Sequence, residues 1–278
     1  MTTAAQAMVA ATGRLREAGV DDPARDARVL LAHAAKIDAS RITLIAPDDI
    51  SDEISERYEN MIRLRESRVP VSHLIGEREF YGRQFKVSRD VLDPRPDTET
   101  LIEAALAEPF ASVLDIGTGS GCILVTLLAE RESAVGVGTD LSEAACLQAA
   151  ANVVFNGVEK RADIFQSDWF GAVRGQYDLI VSNPPYLAEE EMAFVSPELR
   201  LHEPRMALTD EADGLTGYRA LAELGQQFLE TQGRLLAEIG WQQGPEVVEL
   251  FAKAGWTNPR LLQDIDGRDR VICAEKPQ

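Results

Sequence analysis

The stretch Tyr177-Asp-Leu-Ile-Val-Ser-Asn-Pro-Pro-Tyr186 joins an apolar run to a tip whose groups suit one chemical problem. Leu179, Ile180 and Val181 read as a buried strand. Asn183-Pro184-Pro185-Tyr186 continues neither helix nor sheet interior, because both prolines lack an N–H and each biases the residue before it toward extended geometry. The result is a stiff tip carrying one amide side chain, one aromatic ring and free carbonyls. A planar amide or amino nitrogen is a poor nucleophile, since its lone pair is delocalised into the neighbouring π system. The Asn183 side-chain oxygen and the Pro184 carbonyl can each accept one N–H of such an NH2 group. Tyr186 can stack on its flat face, leaving the nitrogen aimed at an electrophile. The plain alternative is a proline-rich loop that closes a strand, and the tetrapeptide by itself leaves both open.

The elements that must position this tip begin with Ser112–Ile116, a strand that runs into Gly117-Thr118-Gly119-Ser120-Gly121 and then the apolar helix Cys122–Glu130. Strand, glycine turn and helix are the first unit of a Rossmann-like fold. The spacing is G-x-G-x-G, not the G-x-G-x-x-G of dinucleotide binders, and no Lys-Ser/Thr pair makes it a P-loop. Residues 134–139 form the second strand, ending in Asp140, where such folds hold the two hydroxyls of a ribose. Asp140 can equally cap the helix that begins near Ser142. A third strand, Ala162–Gln166, leads to Asp168 and Trp169, which can bracket an adenine by hydrogen bond and stacking. Plain core packing is the other reading of Trp169. Ligands of open α/β sheets bind beyond the carboxyl ends of the strands, so the glycine turn, Asp140, Asp168-Trp169 and Asn183–Tyr186 are expected to share one cleft.

Composition narrows the partners. The 278 residues are 45% hydrophobic and carry a net charge of −18. Residues 1–75 hold 10 Lys+Arg and 12 Asp+Glu, and the remainder holds 18 and 34. So acidic a second part repels phosphate backbones and favours a small ligand or a basic partner over nucleic acid. The cysteines Cys122, Cys146 and Cys273 are scattered and expected to be reduced. No histidine has metal-site spacing, so no metal is expected. No run approaches the ~20 apolar residues of a membrane span. The N-terminus lacks the basic start of a signal peptide, and the expected location is cytoplasmic.

Residues 1–75 read as a small helical bundle. Thr3-x-x-Gln6 is a capping box, Gly19 a stop, Asp22-Pro23 a start, and Ser51 opens a helix with Ile54, Tyr58, Met61 and Ile62 on one face. Arg57, Arg63 and Arg65, with Arg68 close by, are expected on its other face, read as a solvated face ahead of a binding surface. Residues 76–96 form a hairpin-like connector around Gly82, ending in the rigid Pro94-Arg-Pro96. Asp97 or Thr98 then caps a helix to about Ala107. Glu189–Asp213 is a candidate lid, 214–230 is expected to be helical, and 233–239 to be a strand. Pro245–Ala254 is expected to be a helix. Pro259–Gln263 and Arg270–Ala274 are expected to form an antiparallel closing pair at the sheet edge.

Together, Asp115-Ile-Gly-Thr-Gly-Ser-Gly121, Asp140 and Asn183-Pro-Pro-Tyr186 look like class I S-adenosylmethionine-dependent methyltransferases that act on planar nitrogen. Over nearly the whole length the chain resembles the HemK/PrmC family, the peptide chain release factor glutamine methyltransferases. Glu79-Phe-Tyr-Gly82, Pro94-Arg-Pro-Asp-Thr-Glu99, Glu203-Pro-Arg205, Asp213-Gly-Leu215 and Asp266-Gly-Arg-Asp-Arg270 carry that likeness; Asp93 departs from it. The resemblance implies an α/β, Rossmann-like class I methyltransferase sheet, mostly parallel with an antiparallel closing strand, in residues 97–278, behind an N-terminal helical domain in residues 1–75 that contacts the release factor. It implies S-adenosylmethionine as cofactor, converted to S-adenosylhomocysteine, with Gly117–Gly121 at its methionine part, Asp140 at the ribose, and Asp168 and Trp169 at the adenine. Asn183 would lie against both cofactor and substrate, and Asn183, Pro184, Pro185 and Tyr186 would take the glutamine of a Gly-Gly-Gln loop. The implied reaction is a direct displacement by the amide nitrogen, in a monomer with no stable nucleic acid partner. Rival readings are a ribosomal-protein glutamine methyltransferase, a DNA or RNA adenine N6-methyltransferase, and a cofactor-binding module without catalysis.

Overall fold

The structure, a computed structural model, describes residues 2–278. The chain divides into two compact units, one of residues 1–77 with 196–202, the other of residues 78–195 with 203–278.

The first unit holds α1 (Ala4–Glu17), α2 (Pro23–Ala35), α3 (Ile42–Ile45), α4 (Asp52–Glu66) and α5 (Val71–Ile75). Its helix starts follow from capping chemistry. Thr3 Oγ1 accepts the Gln6 N–H and Gln6 Oε1 accepts the Thr3 N–H, closing a capping box on α1. Asp22 accepts the Arg25 N–H before Pro23, and Ser51 accepts the Ile54 N–H. Leu15, Leu30, Leu31, Ile42, Tyr58 and Ile62 make the core. The expected solvated arginine face of α4 needs correction. Arg65 is buried and pairs with Asp26 at 2.7 Å and Glu198 at 3.0 Å; Arg68 reaches the same Glu198 at 2.7 Å. Helical periodicity could not show this, because Glu198 comes from the distant 196–202 segment that packs within this unit.

The second unit opens inside β1 (Glu77–Phe80), which forms a hairpin with β2 (Arg83–Lys86) through Tyr81 and Gly82. Then follow α6 (Glu99–Leu106), β3 (Ser112–Ile116), α7 (Cys122–Glu130), β4 (Val135–Asp140), α8 (Glu143–Phe155), β5 (Ala162–Gln166) and β6 (Tyr177–Ser182). After α9 (Pro197–His202), which belongs to the first unit, come α10 (Thr216–Leu224), β7 (Leu229–Glu238), α11 (Gly244–Lys253), β8 (Thr257–Gln263) and β9 (Asp269–Glu275). The seven strands lie in the order β5-β4-β3-β6-β7-β9-β8. The first five are parallel; β9 runs antiparallel between β7 and β8. The expected Rossmann-like sheet with its antiparallel closure is therefore present.

Both faces of the sheet are buried, which is why its strands read as apolar runs. Leu179, Val181, Leu236, Val271 and Cys273 point to one core cluster with α6 and α7. Ile180, Leu235, Ala237, Ile272 and Ala274 point to the other, with Tyr218, Leu221, Val247 and Phe251. The alternation is the period-two rule of a strand.

The expected helix over 214–230 is α-helical to Leu224 and tightens to a 3-10 helix over Gly225–Phe228, and β7 begins at Leu229 rather than at 233. Tyr177 pairs with Leu229, but Leu179 pairs with Arg234, so the intervening residues bulge out of the ladder, with Gln232 at φ 67°. The polar Glu230-Thr-Gln232 stretch masked the strand. Among the described residues, no helix is long and apolar enough to cross a membrane.

Candidate active site

The adjacent carboxyl ends of β3 and β6 set the site. Ile116 and Ser182 are register partners, and the Ser182 hydroxyl donates to the Ile116 carbonyl at 2.8 Å. The glycine turn and Asn183 therefore leave the sheet side by side, at the point where the strand order reverses. Three bonds tie the turn to the ends of β3 and β4. The Thr118 hydroxyl donates to Asp115 Oδ2 at 2.7 Å, the Thr118 N–H to the Thr139 carbonyl at 2.8 Å, and the Gly119 N–H to Asp140 Oδ2 at 2.9 Å. Gly119 sits at φ 55°, a left-handed conformation that glycine enters without steric cost.

Asp140 ends β4 with both oxygens engaged. Oδ1 accepts the Ser142 N–H at 2.9 Å, opposite the Gly119 bond. Burial raises its pKa while these backbone N–H groups hold it down. It is not the cap of α8: Ser142 fills that position and accepts the Ala145 N–H. Asp115 lies fully buried one strand over, and burial pushes it up to about 7. Its Oδ1 has no hydrogen-bond partner among the described residues.

Gly117, Thr118, Gly119, Ser120 and Asp140 line a cavity of about 460 Å³ together with Asp168, Trp169, Thr98 and Asn183, while Gly121 and Asp115 are not on its wall. Asp168 is exposed at the rim. Trp169, at φ 46°, lines the cavity and also packs on the second core cluster. Of the tip, Asn183 and Pro185 reach the cavity wall. Pro184 is buried, and Tyr186 packs its ring on the second core cluster, with Gln243 Nε2 donating to its carbonyl at 2.8 Å. Cys122, at the head of α7, is buried and its thiol is pushed up to about 12, so no thiolate forms there near neutral pH.

Two groups escaped the sequence reading. Thr98 stands at the N-cap position of α6, as expected, but makes no side-chain capping bond. Its hydroxyl instead donates to Glu238 Oε2 at 2.6 Å, and Asn183 Nδ2 donates to Thr98 Oγ1 at 3.4 Å. Glu238 is buried at the end of β7, beside the Asn183 tip. An acid that closes the run Leu235-Leu-Ala237 was the available signal, as was Asp115 within Val113-Leu-Asp-Ile116. Farther out, the buried Glu203 carboxylate binds Arg95 at 2.5 Å and the Asp93 N–H at 3.3 Å, tying the Pro94-Arg-Pro96 connector to the Glu203-Pro204-Arg205 loop. Asn152 of α8 bonds both polar backbone groups of Lys86 and the Ser120 carbonyl, so one carboxamide joins the hairpin to the glycine turn.

The chain matches the family model for the PrmC N-terminal domain over residues 6–76 and the methyltransferase small domain over residues 85–209. It is 54% identical over 274 residues to the release factor glutamine methyltransferase of Cereibacter sphaeroides, covering 99% of each chain. It is 37% identical to the protein of that name from Bacillus subtilis, covering 99% of this chain and 98% of the other. This chain belongs to the release factor glutamine methyltransferase family. Like other members of that family, it is an S-adenosylmethionine-dependent methyltransferase. Among solved structures, a methyltransferase from Pyrococcus furiosus matches with a TM-score of 0.55 at 15% identity, covering 81% of this chain and all of the other. The hMettl16 catalytic domain, solved in complex with an RNA hairpin, matches with a TM-score of 0.60 at 15% identity, covering 79% and 83%. At that identity these two speak for the fold alone.

Proposed function

We propose that this enzyme methylates the side-chain amide nitrogen, N5, of the glutamine in the Gly-Gly-Gln loop of a peptide chain release factor. The observation that carries the reading is that Asn183, a carboxamide on a proline-stiffened tip, lines the same cavity as the glycine turn and Asp140.

The cavity residues suit S-adenosylmethionine. Asp140 keeps its carboxylate fixed by backbone N–H groups, and the remaining lone pairs would accept the two ribose hydroxyls. Gly117, Thr118, Gly119, Ser120 and Gly121 would hold the methionine part, with the unpartnered Asp115 Oδ1 behind them. Trp169 and Asp168 would flank the adenine. When bound, this cofactor supplies an electrophilic methyl on a sulfonium. The chain's own task is orientation. Asn183 Oδ1 and the Pro184 carbonyl would each accept one N–H of the glutamine, with Pro185 and Tyr186 completing the pocket, so that the weak nucleophile is held at the right angle. No side chain is assigned here as a base.

Residues 1–75 are read as the contact surface for the release factor, in support of which the PrmC N-terminal domain model matches residues 6–76. The enzyme is read as a cytoplasmic monomer without a stable nucleic acid partner, in keeping with its net charge of −18. The test is to incubate it with labelled cofactor and either purified release factor, ribosomes or DNA, followed by mass spectrometry of the loop peptide. Methylation of the loop glutamine is expected; label only in ribosomal protein or DNA overturns the reading. Hydrogen-exchange protection confined to residues outside 1–75 on adding release factor would overturn the assignment of that surface.

A further inference from the structure

A carboxamide has nearly the same shape either way round. Turned by a half rotation, Asn183 would offer a donor NH2 where the glutamine amide needs an acceptor. Something must choose between the two orientations. We propose that Glu238, acting through the Thr98 hydroxyl, fixes which way round the Asn183 carboxamide sits, and is thereby a positioning residue for methyl transfer. The inference rests on the role given to Asn183 above.

The argument is one of donor and acceptor counting. Thr98 is buried and its hydroxyl has a single hydrogen. That hydrogen is committed to Glu238 Oε2 at 2.6 Å, a short bond of the kind an ionised acceptor makes. Only lone pairs of Thr98 Oγ1 then face Asn183, and Asn183 Nδ2 donates into them at 3.4 Å. A reversed carboxamide would set its oxygen against those lone pairs with no hydrogen between. Oδ1 is therefore the atom left to turn away from Thr98. The parts come from three separate places: the second residue after the Pro94-Arg-Pro96 connector, the tip of β6, and the end of β7, where Ser182 and Ala237 are register partners. A buried acid costs more than an apolar side chain of similar size, so a purely structural filler is a poor account of Glu238.

The groups around Glu238 do not disturb this polarity. Arg270 faces it and is shared with Asp97 and Asp264, each at 3.2 Å. Asp97 opposes Arg270 in its effect on the acid, and Asn183 lowers it by turning its NH2 toward that side, the same orientation that the Thr98 hydroxyl imposes. The Tyr218 hydroxyl donates to the Glu238 backbone carbonyl, and the Tyr186 phenol, held above its usual pKa by burial, stays neutral. Burial pushes the acid itself up to about 7. Once protonated, Glu238 can donate to Thr98 Oγ1. That frees the Thr98 hydrogen to point at Asn183 and favours the reversed carboxamide.

The experiment uses the full chain with Thr98→Val, Thr98→Ser and Glu238→Gln, assayed on whichever acceptor the wild type methylates. Thr98→Val is expected to lower kcat about 10- to 100-fold, the scale of a small misplacement of a reacting group. Its acceptor KM and its dissociation constant for S-adenosylmethionine should stay within about threefold of wild type, and Thr98→Ser should recover most of the rate. Wild-type kcat should fall as pH drops through about 7, while Thr98→Val and Glu238→Gln should lose that limb. A Thr98→Val enzyme with wild-type kcat, or one whose pH limb persists, overturns the proposal. So does a loss that lies wholly in cofactor affinity or melting temperature and that Thr98→Ser does not relieve. A wild type inactive on release factor but active on another acceptor fails the substrate reading alone, and the variant ratios on that acceptor still judge the relay.

Discussion

The Asp140 carboxylate accepts the Gly119 backbone N–H at 2.9 Å, so the tip of β4 and the glycine turn are tied together before any ligand arrives. A charge-assisted bond of this kind is worth about 1.5–3 kcal/mol. Asp140→Asn keeps the shape, replaces one acceptor oxygen by an NH2, and sets a donor against either the Gly119 or the Ser142 N–H. It is expected to raise the dissociation constant for S-adenosylmethionine by about 10- to 100-fold. Isothermal titration calorimetry reads this directly, and an unchanged constant would remove Asp140 from the cofactor site.

Asn183 is assigned to the acceptor, and its loss should separate binding from turnover. Asn183→Ala is expected to abolish methyl transfer while cofactor affinity stays within about threefold of wild type. Full activity in single-turnover assays would rule out the grip proposed for the tip.

Glu238 and Asp115 also predict how stability depends on pH. Burial raises the folded-state pKa of Glu238 from 4.5 to about 7, and of Asp115 from 3.8 to about 7. Between the unfolded and folded values the native state holds the extra proton. Stability from these groups is therefore present at low pH and declines as pH rises from about 4 to about 7. Glu238→Gln removes one of the two. It should match wild type near pH 5 and exceed it at pH 8, by roughly 3 kcal/mol on the scale of one pKa unit per 1.4 kcal/mol. Equal urea midpoints for the two proteins at pH 8 would contradict the burial argument.

The N-terminal unit makes its own prediction. Arg65 is buried between Asp26 and Glu198. Asp26→Ala leaves that guanidinium with a single carboxylate, which Arg68 already shares. Breaking a buried pair from one side costs about 3–5 kcal/mol. Chemical denaturation followed by hydrogen exchange should show the loss in residues 1–75. A destabilisation below about 1 kcal/mol, typical of exposed pairs, would mean that water reaches Arg65 readily.

What could be read before the structure was what lies within one element. Leu179-Ile-Val181 and Val271-Ile-Cys273 are apolar on every position because both sheet faces are covered, and that shows in the chain itself. Thr3, Asp22 and Ser51 cap helices through neighbours three residues away. Asn183, Asp140 and Gly119 were legible because the strand-end rule ties them to one edge. Thr98 and Glu238 were not, since their bond joins residues 140 positions apart and depends on sheet register. Arg65 failed for the same reason: its second partner is 133 positions away. The bulge in β7 was hidden because polar residues at a bulge mimic the end of a helix.

The place of β9 between β7 and β8 has a consequence for how the sheet is completed. Both of its neighbours are made earlier in the chain than β9 itself. While β9 is absent, β8 has no strand to lie against and β7 shows an unpaired row of amides and carbonyls beside Leu236 and Ala237. Such an edge is an invitation to pair with other chains. During synthesis, then, the most aggregation-prone moment for this enzyme falls late, and it ends by slotting one strand into a gap rather than by adding one to a rim.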